Sequence, residues 1–74
     1  MNEHEHAELR SLGERVRQLR EHERFSVAEL ATRTGVKMQR IRELEAGRFD
    51  PTLDLLIALA RGLEIRLSGL VPQD

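Results

Sequence analysis

The sequence predicts an all-α fold of five short helices in a single domain. Three observations support this prediction. Apolar residues recur at helical spacing along most of the chain, glycines stand directly after two of the predicted helices, where a left-handed residue can end a helix, and a length of 74 residues suits one domain. The chain has no cysteine, so neither disulfides nor a cysteine-based metal site stabilises it. Its small core must therefore come from packed helices.

The first predicted helix runs from about Ala7 to His22. Its apolar side chains recur at spacings of three and four residues: Leu9, Leu12, Val16 and Leu19. Gly13 lies inside this segment and lowers its helix propensity slightly. Residues 1–6 are polar and acidic, and we expect them to form a disordered tail. The single domain is therefore placed at residues 7–74.

Two short helices follow, with a tight turn between them. Ser26 and Glu29 have the spacing of a capping box, which predicts the start of the second helix. Gly35 can adopt the left-handed geometry that ends it. The third helix is predicted from Lys37 to about Ala46, and Gly47 ends it in the same way.

The last two helical segments follow a proline-containing turn. Thr52 is the predicted N-cap of a fourth helix, at about Leu53 to Leu63. Its apolar face is broad: Leu53, Leu56, Leu59, Ala60 and Leu63. A fifth, single helical turn is expected at Leu67 to Leu70, before Pro72.

The charges are unevenly distributed, although the formal net charge is only −1. Residues 1–8 hold three Glu and no Lys or Arg, residues 9–48 hold ten Lys or Arg against six Glu, and residues 49–74 hold two Arg against four acids. Because the local field matters more than the total, the basic central segment is compatible with binding to nucleic acid.

The sequence also predicts where the protein acts. No apolar stretch is long enough to span a membrane, and the acidic first residues are unlike a secretory signal. We therefore expect a cytoplasmic protein with no membrane partner.

The segment from Ser26 to Arg48 is the most informative part of the sequence. Two short helices joined by a tight turn must cross steeply in order to pack, and Ala31 supplies a small residue at the crossing. Gly35 supplies the residue that tolerates a positive φ in the turn. These features occur together at the offsets of a helix-turn-helix, at about residues 26–46.

Four stretches of this sequence resemble the helix-turn-helix proteins of the phage repressor type, Cro and lambda repressor, also called XRE-like. The stretches are LGERVRQLRE, ELATRTGV, IRELEAGR and DPTLDLLIALARGLEI, and the resemblance extends from about Leu12 to Leu70. The resemblance implies a lambda repressor-like DNA-binding domain of five short helices. It also implies sequence-specific binding to double-stranded DNA, usually as a homodimer, with the third helix in the major groove.

The third helix would then present the base contacts. With Ile41 as the inward direction and about 100° of rotation per residue, Gln39, Arg42 and Glu43 point outward. The predicted base contacts are Lys37, Met38, Gln39, Arg42 and Glu43. Gln can pair with adenine, Arg with guanine, Glu with a cytosine amino group, and Met with a thymine methyl group. The predicted phosphate contacts are Ser26, Arg40, Arg48 and Thr52.

Each of these contacts has a simpler alternative. Outward Gln39 and Arg42 can be ordinary solvated residues, and Arg48 can be an exposed loop residue. Met38 can be a partly exposed packing residue. Glu43 either selects cytosine or repels the DNA backbone.

Two positions depart from the family pattern, and one pair of residues follows it. Lys37 stands where the family usually has a Ser or Thr N-cap, and a compensating DNA contact would explain the loss of the cap. Val27 replaces a Gln that commonly touches phosphate. The resemblance also implies a structural ion pair between Arg20 and Glu45, since Glu45 falls on the inward side of its helix.

The last part of the chain carries apolar residues with two possible roles: Leu55, Ile65, Leu67, Leu70 and Val71. They either fill the small core or form a two-fold dimer contact. A symmetric dimer would place two recognition helices about 34 Å apart on a near-palindromic operator.

These observations predict a transcriptional regulator that occupies a promoter operator as a homodimer. The alternative is a protein-interaction module, such as an antitoxin that binds a partner protein, which net acidity, Val27 and Glu43 favour slightly. No catalytic arrangement or phosphate-binding glycine loop is found, so no enzyme activity and no cofactor are expected. His4, Glu5 and His6 do not suffice to predict a metal site.

Overall fold

The computed structural model describes residues 3–71, and the side chains of residues 6–71. It contains four α-helices: α1 Glu3–His22, α2 Val27–Thr34, α3 Met38–Glu45 and α4 Leu53–Gly62. A 3-10 turn, Leu67–Leu70, follows α4. No strand occurs among the described residues, and the predicted all-α class is confirmed. The predicted fifth helix corresponds to this 3-10 turn. It is only four residues long, and its bonds join residues three apart, such as Val71 N to Ser68 O at 3.3 Å.

Helix α1 begins earlier than the sequence predicted. It starts at Glu3, not at Ala7, so the disordered tail predicted for residues 1–6 is wrong for residues 3–6. The prediction followed the polar composition of this stretch, whereas Glu, which stands at positions 3 and 5, has a high helix propensity. Residues 1, 2 and 72–74, which belong to the predicted tail and domain, lie outside the described residues.

Helix α2 is bounded by the residues that the sequence predicted. The Ser26 hydroxyl accepts a bond from the Glu29 amide at 3.0 Å, and the Glu29 carboxylate accepts one from the Ser26 amide at 3.0 Å. Both bonds lower the pKa of Glu29, and the bond from the Ser26 amide contributes most. Gly35 ends the helix at φ 76°, and its amide donates to the Ala31 carbonyl at 2.8 Å.

The core is aliphatic and joins all five helical segments. Its buried side chains are Val16, Leu30, Ile41, Leu44, Leu59, Ala60, Leu63 and Leu70. The predicted inward position of Leu53 is wrong, since 61% of this residue is exposed. Leu53 is the first residue of α4, where the helix has not yet reached the core.

Gly13 permits the close packing of α1 against α3. A Cβ atom at this position would lie 2.2 Å from the Leu44 carbonyl oxygen and 2.8 Å from that of Glu45. Gly13, which lowers the helix propensity of α1, is thus the position at which the backbones of α1 and α3 are in contact. This close approach fixes the end of α3 against α1.

In the part of the chain that the structure describes, no helix combines the length and apolar character needed to cross a membrane.

Candidate nucleic-acid interface

The inner side of α3 is fixed to the rest of the molecule. Ile41 and Leu44 are buried in the core, which sets the rotation of the helix about its axis. The α-helical period then directs the residues between them outward. The outer face of α3 is therefore presented on a rigid support.

The ion pair implied by the resemblance is present. Arg20 Nε donates to Glu45 Oε2 at 2.7 Å, and Arg20 Nη2 donates to Glu45 Oε1 at 3.0 Å. The third contact of the guanidinium is Nη1 to the Phe25 carbonyl at 2.8 Å. The hydrogen bond with Glu45 raises the pKa of Arg20. This bidentate pair, with the bond to Phe25, connects the end of α3 to α1 and to the residues that precede α2.

The outer face of α3 carries the predicted base-contacting residues. Gln39 and Arg42 are exposed, and Met38 is half-buried. Arg42 and Gln39 carry donors, and Gln39 also carries an acceptor, so both can form the bidentate bonds that distinguish base pairs in a major groove. Half-burial of Met38 agrees with a packing role and still leaves part of the side chain accessible.

The start of α3 has no side-chain cap. Lys37 occupies the N-cap position with extended geometry, φ −63° and ψ 140°, and makes no capping hydrogen bond. Its side chain is exposed. The first amides of α3 therefore have no capping side chain and lie beside a cationic one, which is an arrangement that favours an anion such as phosphate.

Glu43 does not stand alone on this face. Arg40 Nη1 lies 3.7 Å from Glu43 Oε1, and the Arg40 guanidinium carbon lies 5.3 Å from the centre of the Phe49 ring. Lys37, Gln39, Arg40 and Glu43 line one shallow depression. The negative charge of Glu43 is thus partly balanced by the neighbouring cation.

The candidate phosphate contacts flank α3. Ser26 and Thr52 are exposed N-caps of α2 and α4. The Thr52 hydroxyl accepts from the Leu55 amide at 3.2 Å, and each capping hydroxyl keeps its own hydrogen for an outside acceptor. Arg48 is exposed, and its amide donates to the Glu43 carbonyl at 2.9 Å. Val27 is half-buried and packs on the core, so it supplies no phosphate contact.

The candidate dimer residues divide into two groups. Leu55, Ile65 and Leu67 are half-buried and pack on the core. Leu70 is fully buried, so its prediction as an interface residue is corrected: the 3-10 turn directs its side chain into the core. Two exposed apolar residues extend this surface: Val71, which the sequence grouped with these candidates, and Leu53, which it placed on the apolar face of α4.

An apolar groove contains both of these exposed residues. It lies where α1, the start of α4 and the 3-10 turn meet, and we call it the α1–α4 groove. Its apolar lining is Leu9, Leu12, Leu53, Leu56, Leu67, Leu70 and Val71. Leu53 and Leu56 of this lining belong to the apolar face that the sequence predicted for α4, but no local pattern predicted the groove itself.

No sequence pattern indicated that Phe49 belongs to the α3 surface. Phe49 lies in the loop after α3, nine positions from Arg40, and this spacing follows no helical period. The contact arises from the turn at Gly47, φ 71°, which brings the loop back along α3. Local patterns do not predict such a contact.

Comparison with known proteins gives three findings. A family model described as helix-turn-helix matches residues 16–70. The chain is 37% identical over 59 residues to Multiprotein-bridging factor 1 of Candida albicans, a match that covers 80% of this chain and 39% of that protein. It is similar in structure to the restriction-modification controller protein C.AhdI from Aeromonas hydrophila, with a TM-score of 0.85, 30% identity, and coverage of 86% of this chain and 97% of that one.

Proposed function

The chain belongs to the helix-turn-helix family of the phage repressor type, and from this premise we propose that it is a DNA-binding regulator of transcription that binds a near-palindromic operator as a homodimer. The observation that carries the proposal is the outer face of α3. Gln39 and Arg42 are exposed on a helix whose inner side is locked by buried Ile41 and Leu44.

In this proposal, α3 enters the major groove with its N-terminal end deepest. Gln39 pairs with an adenine and Arg42 with a guanine or a phosphate. Lys37 and the free amides at the start of α3 bind the DNA backbone. The exposed hydroxyls of Ser26 and Thr52, together with Arg48, hold the duplex on either side. The role involves no enzymatic step, and it places the protein in the cytoplasm.

A selection of bound sequences from a random DNA pool tests the proposal. We expect one enriched, near-palindromic sequence, because the two copies of α3 in a symmetric dimer contact equivalent half-sites. Affinity should fall steeply as salt rises, since phosphate contacts release counterions. A pool that shows no enrichment after repeated rounds would contradict sequence-specific binding.

Gln39→Ala sharpens the test at one base pair. Preference at that position should relax by about 1–3 kcal/mol, because a side chain that pairs with one base contributes to affinity only when that base is present. The matched control is Arg48→Gln, which removes a candidate phosphate contact and should weaken binding to all sequences alike. A uniform loss for Gln39→Ala would contradict its role as a base contact.

The α1–α4 groove supports the homodimer. Leu53 and Val71 expose 61% and 54% of their surfaces there, and such apolar area is costly to leave in water. Sedimentation at tens of micromolar protein tests this. We expect a dimer for the natural chain and a monomer for Leu53→Ser; a monomer for both, with and without operator DNA, would contradict the proposal.

A second candidate is a protein-interaction module that binds a partner through the same groove. The similarity to Multiprotein-bridging factor 1 supports it, although this chain spans 39% of that relative's length. Retardation of random DNA distinguishes the candidates. Salt-dependent retardation supports the regulator, whereas no retardation at low salt supports the interaction module.

A further inference from the structure

Three side chains meet at the edge of the candidate DNA-binding surface: Arg40, Glu43 and Phe49. The guanidinium of Arg40 lies within the distance at which a cation is attracted by an aromatic face, at 5.3 Å from the Phe49 ring centre. The same guanidinium lies 3.7 Å from the Glu43 carboxylate. One cation is therefore shared by a ring and an anion.

The position of the ring is fixed by the backbone. Phe49 is half-buried and packs against the core. The loop that carries it is anchored by the Arg48 amide, which donates to the Glu43 carbonyl at 2.9 Å. The Phe49 ring is consequently held in place before any ligand binds, and Arg40 rests against it.

The two neighbours of Arg40 occupy different parts of its guanidinium. An aromatic ring attracts the cation towards its face, whereas a carboxylate accepts the N–H groups at the edge of the guanidinium. A DNA phosphate also accepts from those edge groups. A phosphate can therefore bind Arg40 together with Phe49, but it competes with Glu43 for the same donors.

The Arg40–Glu43 pair is weak enough to open. The side chains are 59% and 36% exposed, and water and salt screen an exposed pair of this kind. A phosphate of DNA, which brings several neighbouring charges, can displace a single screened carboxylate. Release of Arg40 would leave Glu43 free on the outer face of α3.

We propose that Phe49 is a positioning residue that holds Arg40 for a DNA phosphate, and that Glu43 is the anion that opposes this contact. The proposal rests on the proposed DNA-binding function and adds to it one residue outside α3. It assigns opposite effects to two neighbouring side chains. Loss of the ring weakens binding to DNA of any sequence, and loss of the carboxylate charge strengthens it.

The test measures affinity for random duplex DNA over a range of salt concentrations. Phe49→Leu keeps an apolar side chain in the core and removes the ring, and we expect affinity about two- to fivefold lower. Glu43→Gln should raise affinity for all sequences. Phe49→Tyr retains an aromatic face and should restore the natural affinity.

The decisive control is the background Arg40→Gln, in which the proposed cation is absent. In that background, Phe49→Leu should cause no further loss of affinity. The slope of log affinity against log salt should be shallower than that of the natural chain by up to about 0.9, both in Arg40→Gln and in the double variant. An equal loss from Phe49→Leu with and without Arg40 would overturn the proposal. Natural protein that fails to bind random DNA at low salt would overturn the proposed function as well, so the two failures are distinguishable.

A second measurement needs no DNA. The Phe49 ring current should shift the nuclear magnetic resonance signal of the Arg40 side-chain N–H in the natural chain, and Phe49→Tyr should retain the shift. If the Arg40 N–H signal of Phe49→Leu is the same as that of the natural chain and of Phe49→Tyr, the positioning role is overturned. Thermal unfolding of each variant checks that the domain is folded.

Discussion

Helices α2 and α3 have the same length, eight residues each, but they are stabilised in different ways. Helix α2 begins with reciprocal bonds between Ser26 and Glu29, both 3.0 Å long. Helix α3 begins with Lys37, which makes no capping bond. One helix start is stabilised within its own segment, and the other start is left to solvent or to a ligand.

The end of α3 compensates for its uncapped start. Glu45 accepts two bonds from Arg20, and the Leu44 carbonyl lies against Gly13. Helix α3 is therefore stable because other segments hold it, not because its own termini are favourable. Local stability is thus low at the start of α3, the end that we propose enters the DNA groove, and contacts on the opposite side of the same helix supply what is missing.

The largest effect should come from Glu45→Ala. The side chains of this pair are only 9–13% exposed, and removal of Glu45 leaves the mostly buried guanidinium of Arg20 with the Phe25 carbonyl in place of a carboxylate partner. We expect the free energy of unfolding to fall by about 3 kcal/mol, measured by urea denaturation. The matched control is Glu43→Ala on the exposed side of α3, which should change stability by less than about 0.5 kcal/mol. Similar values for both variants would contradict the view that α3 depends on its inner contacts.

Gly13→Ala should have the next largest effect. A methyl group 2.2 Å from the Leu44 carbonyl oxygen must push α1 and α3 apart, at a cost of about 1–3 kcal/mol. This cost exceeds the gain in helix propensity of about 1 kcal/mol. Thermal unfolding compared with Ser11→Ala, an exposed position of the same helix, provides the measurement. A Gly13→Ala variant more stable than the natural chain would contradict the close approach of the two backbones.

The sequence predicted the helix boundaries best where a boundary depends on residues within four positions. Ser26 with Glu29 and Gly35 act through neighbouring amides and φ values, so their types alone indicate where α2 begins and ends. The start of α1 at Glu3 and the exposure of Leu53 were not predicted. The exposure of Leu53 depends on how far the packed core reaches, which a local pattern does not contain. The start of α1 was missed although the helix propensity of Glu favours it.

The candidate site divides in the same way. The exposure of Gln39 and Arg42 followed from a rotation about α3 once Ile41 was set inward. The contact between Arg40 and Phe49 was missed, because it depends on the path of the loop after α3. The sequence left Leu70 between a core position and a dimer contact, and its burial in the structure decides for the core. The helical period of a sequence predicts the face of the helix on which a residue lies, but it does not predict which other segment covers that face.

Ser26→Ala tests the capped helix of the comparison. The variant removes the hydroxyl that accepts from the Glu29 amide, and loss of such a cap costs about 1 kcal/mol. Chemical denaturation should show this decrease, whereas Ser11→Ala in the exposed middle of α1 should show almost none. Equal results for the two serines would mean that α2, like α3, is held by its neighbours and not by its own cap.

Lys37→Ser tests the uncapped helix and should have the smallest effect on stability. Serine at the N-cap can accept from the free amides of α3, and the positive charge at the positive end of the helix dipole is removed. Unfolding free energy should therefore rise by about 0.5–1 kcal/mol, while affinity for DNA falls because a cationic contact is lost. Lys37→Gln separates the two causes, since it removes the charge without restoring a strong cap and should lower affinity with little gain in stability. A more stable Lys37→Ser variant with unchanged affinity would show that the missing cap serves no contact with DNA.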